Sequence, residues 1–223
     1  MSQDGITLGL DGVRLDASLA VPPAARGLVL FAHGSGRHSP RNGQVARALQ
    51  GRGLATLLVD LLTPAEARVV VADAGLGFDV DFLADRLVAA TDWARRDART
   101  AHLAPCYFGA STGAAAALIA AARRPAEIRA VVSRGGRPDL AEASLPAVRA
   151  PTLFIVGGED VALLAASRPA LQRLAGARQL VVVAGASHLF AEPGAIEQVG
   201  QLAADWFVEH LGPAIEARSA LPR

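Results

Sequence analysis

The chain has 223 residues, 52% of them apolar and 19% charged, which suits a globular α/β chain with a sizeable core and excludes a disordered one. Its 22 basic and 21 acidic residues nearly cancel, so the charge gives no case for nucleic acid or an anionic membrane as partner. All 22 basic residues are arginine, and the lack of lysine excludes a P-loop lysine, a Schiff-base lysine and a Ser–Lys dyad.

The single cysteine, Cys106, lies in an apolar run and has no partner for an intrachain disulfide. The first residues, Met1 to Gly5, lack the basic region and apolar run of a signal peptide. No stretch of about 18 apolar residues is free of charges and breakers. The expectation is a cytoplasmic protein without a membrane span.

In chain order, Ile6–Leu10 and Val13–Val21 alternate apolar with polar or small residues, as half-exposed antiparallel strands do, with Asp11-Gly12 as the hairpin turn. Gly27–Ala32 is a continuous apolar run, the mark of a strand covered on both faces. It runs into His33-Gly34-Ser35-Gly36 and a polar loop to Asn42. The pattern then predicts a helix over Gln44–Arg52 and a buried strand over Ala55–Asp60. Residues 61–78 are weakly patterned, with Thr63-Pro64 as a possible helix start and Gly75 and Gly77 as breakers. An amphipathic helix follows over Asp79–Arg96.

Residues 101–108 read as a short strand and Ala114–Arg124 as an Ala-rich helix stopped by Pro125. Between them stands Gly109-Ala110-Ser111-Thr112-Gly113. Strand, G-x-S-x-G, helix is the pattern of a nucleophile elbow, in which a tight turn lifts a serine hydroxyl out of the sheet. Ala130–Ser133 is a further strand, and Arg134–Asp139 leads into a brief helix. Thr152–Val156 is a strand ending in Gly157-Gly158-Glu159-Asp160. A helix over Leu163–Leu174, a strand over Gln179–Val183, a turn Gly185-Ala186-Ser187-His188 and a helix over Ile196–Leu211 complete the pattern. Residues 212–223 read as a tail, leaving one domain over residues 1–211.

An antiparallel hairpin followed by six strands alternating with helices implies an α/β fold. Its single eight-stranded sheet is mostly parallel, with helices on both faces. In such sheets ligands bind beyond the carboxyl ends of the strands. Chemistry is therefore expected in residues 33–41, 109–113, 133–139, 157–160 and 185–188.

A serine nucleophile needs a base within hydrogen-bond reach, and the base needs a third group to fix its tautomer. His188 follows the last strand, where a loop swings an imidazole over the elbow; His38 is the rival. His33 reads as a brace for its loop, and His102 and His210 as structural. Asp160, at the carboxyl end of its strand, is the orienting acid, with Glu159 as the alternative one residue away. For Asp60 and Asp139 a capping or solvated role suffices.

The hairpin, HGSG loop, GASTG elbow, GGED turn and GASH turn together resemble the α/β-hydrolase superfamily, close to the small, capless, dienelactone-hydrolase-like branch. The resemblance covers nearly the whole chain, and Ser111, Asp160, His188 is the superfamily's chain order. It implies an oxyanion hole made by the N–H groups of Thr112 and Ser35, with Gly34 as the alternative to Ser35. The namesake dienelactone hydrolases carry a cysteine at the elbow, whereas this chain has Ser111. The resemblance therefore implies a serine carboxylester hydrolase acting on esters, lactones or thioesters, with small-molecule substrates and no cofactor or metal.

Only residues 134–151 separate two strands where larger relatives insert a lid, so the site is expected to be open, with 61–78 as the one partial cover. Gly34, Arg37, His38 and Arg134 are the candidate substrate contacts. Arg37, Arg41, Arg134 and Arg137 share one rim, where a guanidinium matches a substrate carboxylate; solvated loop cations are the alternative. Two further readings stand beside the hydrolase. One is a catalytically silent binding protein on the same fold. The other is a dinucleotide site over Leu28–Asp60, which Ser39 and Pro40 argue against at the third glycine and in the helix.

Overall fold

A computed structural model describes residues 4–10, 12–33, 39–72 and 79–212. The chain opens with the hairpin β1 (Asp4–Leu10) and β2 (Val13–Ala20), paired antiparallel with Leu8 opposite Leu15. Leu8, Leu10 and Leu15 face the core while Thr7, Gly9 and Arg14 face out, which is what period-two patterning dictates for a half-covered sheet. Next come β3 (Leu28–His33), α1 (Pro40–Gly51), β4 (Ala55–Val59), α2 (Pro64–Ala72) and α3 (Val80–Arg96). The second half holds β5 (Pro105–Ala110), α4 (Thr112–Arg123), β6 (Val131–Arg134), β7 (Thr152–Gly157), α5 (Val161–Arg173), β8 (Arg178–Val183) and α6 (Ala195–Leu211).

The eight strands form one sheet in the order β1-β2-β4-β3-β5-β6-β7-β8. β1, β2 and β4 pair antiparallel, and every pairing from β4 through β3 to β8 is parallel. The strands β4, β5, β6 and β7 are buried along their whole length because helices cover both faces. On one face Leu30, Leu57, Tyr107 and Phe154 pack with Leu83, Leu87 and Leu118 of α3 and α4. On the other, Phe31, Phe108 and Ile155 pack with Val45, Leu49, Val199 and Phe207 of α1 and α6, and the Phe31 and Phe108 rings lie 4.9 Å apart.

Several boundaries depart from the sequence reading. α1 begins at Pro40, not Gln44, because proline at the first helical turn has no N–H to leave unpaired. β5 begins at Pro105, so His102 sits in an exposed turn before it and does not open the strand. The brief helix expected after β6 is two 3₁₀ turns, Pro138–Ala141 and Leu145–Ala147, which leave no room for a cap domain between β6 and β7. α2 starts after Thr63, whose hydroxyl accepts from Glu66 N–H while Glu66 accepts from Thr63 N–H, a reciprocal cap. An Arg86–Glu66 ion pair of 3.0 Å ties α2 to α3. Among the described residues no helix is long and apolar enough to cross a membrane.

Candidate active site

The elbow is built by a close approach. An added Cβ at Gly109 falls on the backbone of Ala114 and 2.7 Å from Gly113 O, so only glycine lets α4 turn back this tightly over β5. Ser111 joins the two elements with φ 53° and ψ −126°, a conformation that costs an L-residue of order 1–3 kcal/mol. The turn is held from both sides. Ser111 N–H donates to Arg134 O at 3.3 Å, and Ser111 O accepts from Ala114 N–H at 3.1 Å and Arg137 N–H at 3.2 Å. Ser111 is exposed, and its hydroxyl caps nothing although it stands at the N-cap of α4. Thr112 N–H begins the helix and faces outward from its positive end.

Asp160 is the N-cap of α5. Its Oδ1 accepts from Leu163 N–H at 3.2 Å, and its Oδ2 stands 2.6 Å from His188 Nδ1. The carboxylate side chain is 16% exposed and the imidazole 43%, so the acid is sheltered and the ring opens to solvent. Between Asp160 and Glu159 the turn decides: Glu159 is exposed, with its N–H donating to Ala186 O. The two turns lie against each other because Gly157 has no side chain; a Cβ there would meet the carbonyls of Ala186 and Ser187.

The histidine loop has two anchors that the sequence reading missed. Phe190, at φ 53°, is buried with 1% exposure and fixes the loop to the core. Glu192 accepts Ser187 N–H at 3.0 Å, and hydrogen bonds from the Ser187 side chain and backbone hold its carboxyl below the usual range. An aromatic two residues beyond the histidine and an acid four beyond it were the available signals. His188 reaches the elbow through the segment that is already tied to Ser111. Its Cε1 lies 3.7 Å, and its backbone oxygen 3.2 Å, from the Cβ position of Gly135. Ser111 and the Asp160–His188 pair thus stand at the same, carboxyl end of the sheet.

Arg134 corrects an expectation: it is not a rim loop residue. It is the last residue of β6, in register with Ala110 and Ile155, and only 8% exposed. Ser133 points toward α4, so strand alternation turns Arg134 to the other face, where its guanidinium lies 5.9 Å over the Phe190 ring. Burial and then the charge of Arg41 push it down to about 10. Arg134 Nε, Arg41 Nε and Asn42 Oδ1 are all buried without a hydrogen-bond partner among the described residues. Arg137, by contrast, is exposed and spends its guanidinium on Asp139 at 2.6 Å, so Asp139 is an ion-pair partner as well as a first-turn residue.

Gly34, Ser35, Arg37 and His38 lie outside the described residues; His33 closes β3 opposite Ala110. His210 packs edge-on against Trp206 at 4.2 Å, far along α6. Cys106 is buried in β5, and burial pushes its thiol up to about 12. Among the described residues no group of His, Cys, Asp and Glu is arranged to hold a metal ion.

No family model matches the chain. A dienelactone hydrolase from Anabaena variabilis is 51% identical in sequence, with a TM-score of 0.91 over 94% of this chain and 98% of that one. XC6422 from Xanthomonas campestris, described as a serine hydrolase without a lid, is 22% identical with a TM-score of 0.71 over 92% of this chain and 93% of that one; that likeness shows the fold alone. Two Mycobacterium tuberculosis proteins, from strains CDC 1551 and H37Rv and each named "Putative phosphoribosyl transferase", are 56% identical over 198 residues. Those matches take 87% of this chain and 44% of each relative, so the chain spans less than half the length of these curated relatives. With its eight-stranded sheet, its elbow and its near full-length likeness to a solved member, the chain belongs to the dienelactone-hydrolase-like branch of the α/β-hydrolase superfamily.

Proposed function

We propose that the chain is a serine carboxylester hydrolase that cleaves small, accessible esters, lactones or thioesters through an acyl-enzyme on Ser111. The observation that carries this reading is the 2.6 Å contact between His188 Nδ1 and Asp160 Oδ2 at the end of the sheet that exposes Ser111. Asp160 accepts a hydrogen bond from the Nδ1–H and so fixes the tautomer, which leaves Nε2 free to take the proton of Ser111 Oγ as it attacks the carbonyl carbon. The carbonyl oxygen gathers charge in front of Thr112 N–H, at the positive end of α4, with Ser35 N–H as the second donor. His188 then protonates the leaving alcohol, and water repeats the sequence to release the acid.

Cys106 does not compete as nucleophile, since it is buried and stays a thiol at neutral pH. The transferase name of the M. tuberculosis proteins belongs to chains of which this one spans 44%, and the geometry of the shared part favours hydrolysis. The test is hydrolysis of a short-chain p-nitrophenyl ester by the purified protein and by Ser111→Ala. Loss of about 10⁶ in kcat with an unchanged circular dichroism spectrum is expected; a folded Ser111→Ala protein with a tenth of wild-type kcat would remove the assignment.

A further inference from the structure

Among the described residues, two guanidiniums toward the carboxyl end of the sheet, those of Arg41 and Arg134, have no carboxylate partner. Arg134 is more than nine-tenths buried, its Nε has no partner, and its backbone oxygen holds Ser111 N–H. Arg41, half-buried in the first turn of α1, also has an unpartnered Nε and is near enough for its charge to act on Arg134. That turn is otherwise prepared for negative charge. It contains no acidic residue, Ser39 places no side chain on it, and Pro40 occupies the first position. The first intrahelical bond comes from Gly43 N–H to Ser39 O at 3.1 Å, so the Arg41 and Asn42 N–H groups lie ahead of the helical ladder. Among the described residues no carboxylate pairs with either arginine.

Burying a guanidinium with an unmade hydrogen bond is costly, and placing a second one in Coulomb range adds repulsion. A fold keeps such a pair when something else supplies the missing acceptors. Resting on the esterase reading, we infer that Arg41, Arg134 and the first turn of α1 form a subsite for a dianionic phosphate group carried by the ester substrate. Two positive charges and a positive helix end call for a dianion, and two planar forks plus backbone N–H groups offer more donors than the two oxygens of a carboxylate accept. The phosphate anchors the substrate and is not itself cleaved; the bond broken is the ester at Ser111. This replaces the expectation of a carboxylate held by Arg37 and Arg134: Arg37 lies outside the described residues, and the second cation whose charge acts on Arg134 is Arg41.

The test has a binding arm that needs no chemistry. Inorganic phosphate is titrated into Ser111→Ala protein by calorimetry at mildly alkaline pH, with acetate as the monoanion control. Saturable phosphate binding, tighter than acetate and weakened roughly tenfold or more by Arg41→Gln or Arg134→Gln, is expected. Arg134→Gln removes a buried residue and is read only if its circular dichroism matches the parent; Arg41→Gln, in a half-exposed turn, decides alone if it does not. In the kinetic arm, kcat/KM is compared for matched neutral, carboxylate and phosphorylated esters. The phosphorylated ester should lead the neutral one by roughly tenfold to a hundredfold, with the lead shrinking in Arg41→Gln. Absent phosphate binding, acetate binding as tightly, or an Arg41→Gln protein that binds phosphate like its parent would each overturn the subsite. Failure to cleave any ester while phosphate still binds would sink the esterase reading and leave the subsite standing.

Discussion

The carboxyl end of the sheet and the core around Tyr107, beneath α3 and α4, are built on different terms. Around Tyr107 the polar groups are satisfied. Thr91 Oγ1 donates to Leu87 O at 2.9 Å and accepts from the Tyr107 hydroxyl at 2.8 Å, all within the core. Nearby, Arg123 bridges Asp81 and Asp85, and Arg124 bridges Asp92 and Glu127. At the carboxyl end, Ser111 and Phe190 hold positive φ, and Arg41, Asn42 and Arg134 keep buried atoms unpaired. Every one of those features costs stability. Buried atoms without a partner also occur at Arg26, Arg86 and His210, but at the carboxyl end they accompany an exposed serine at positive φ, which predicts that changes in the two regions will separate activity from stability.

The sharpest break is Asp160→Asn. Asparagine still caps α5 by accepting from Leu163 N–H, so the fold should hold, but it no longer fixes the His188 tautomer. Steady-state ester hydrolysis should show kcat lowered by about 10⁴, with Glu159→Gln close to wild type; the reverse order would move the acid by one residue. Gly109→Ala attacks the boundary between the regions. Its methyl lands on the Ala114 backbone, so α4 must shift, at a cost of about 1–3 kcal/mol or more in urea unfolding, together with a loss of activity. Tyr107→Phe should act on stability alone. Removing one buried hydrogen bond lowers unfolding free energy by about 1 kcal/mol and leaves kcat/KM unchanged. Arg124→Ala, whose ion pairs are about one-third exposed, should cost less than about 1 kcal/mol in the same assay.

Much of this was legible in the residues themselves. Continuous apolar runs marked β3, β4 and β7, the alternating pattern marked the hairpin, and Gly109–Gly113 marked the elbow, because each is a local rule that the fold obeys. What escaped depends on neighbours distant in sequence. Arg134 reads as the start of a loop after Ser133, yet β6 runs one residue further, and strand alternation carries that side chain to the face opposite α4, over the Phe190 ring. Whether Asp160 or Glu159 faces His188 is set by how the turn after β7 packs on Ala186, a contact between residues 26 or more positions apart. Glu192 and Phe190 carried no motif, only a position in a loop whose path was still unknown. The helix from Pro40 hid behind polar Arg41 and Asn42, which looked like loop.

The central claim is that Ser111 is a nucleophile primed by His188 and Asp160. It is tested most directly by treating the purified protein with a fluorophosphonate and locating the adduct by intact-mass and peptide mapping. One phosphonyl group on Ser111, absent in Ser111→Ala and slowed at least a hundredfold in His188→Ala, is the predicted result. An unlabelled wild-type protein, or labelling at another residue with Ser111 untouched, would contradict it and return the chain to a catalytically silent member of the fold.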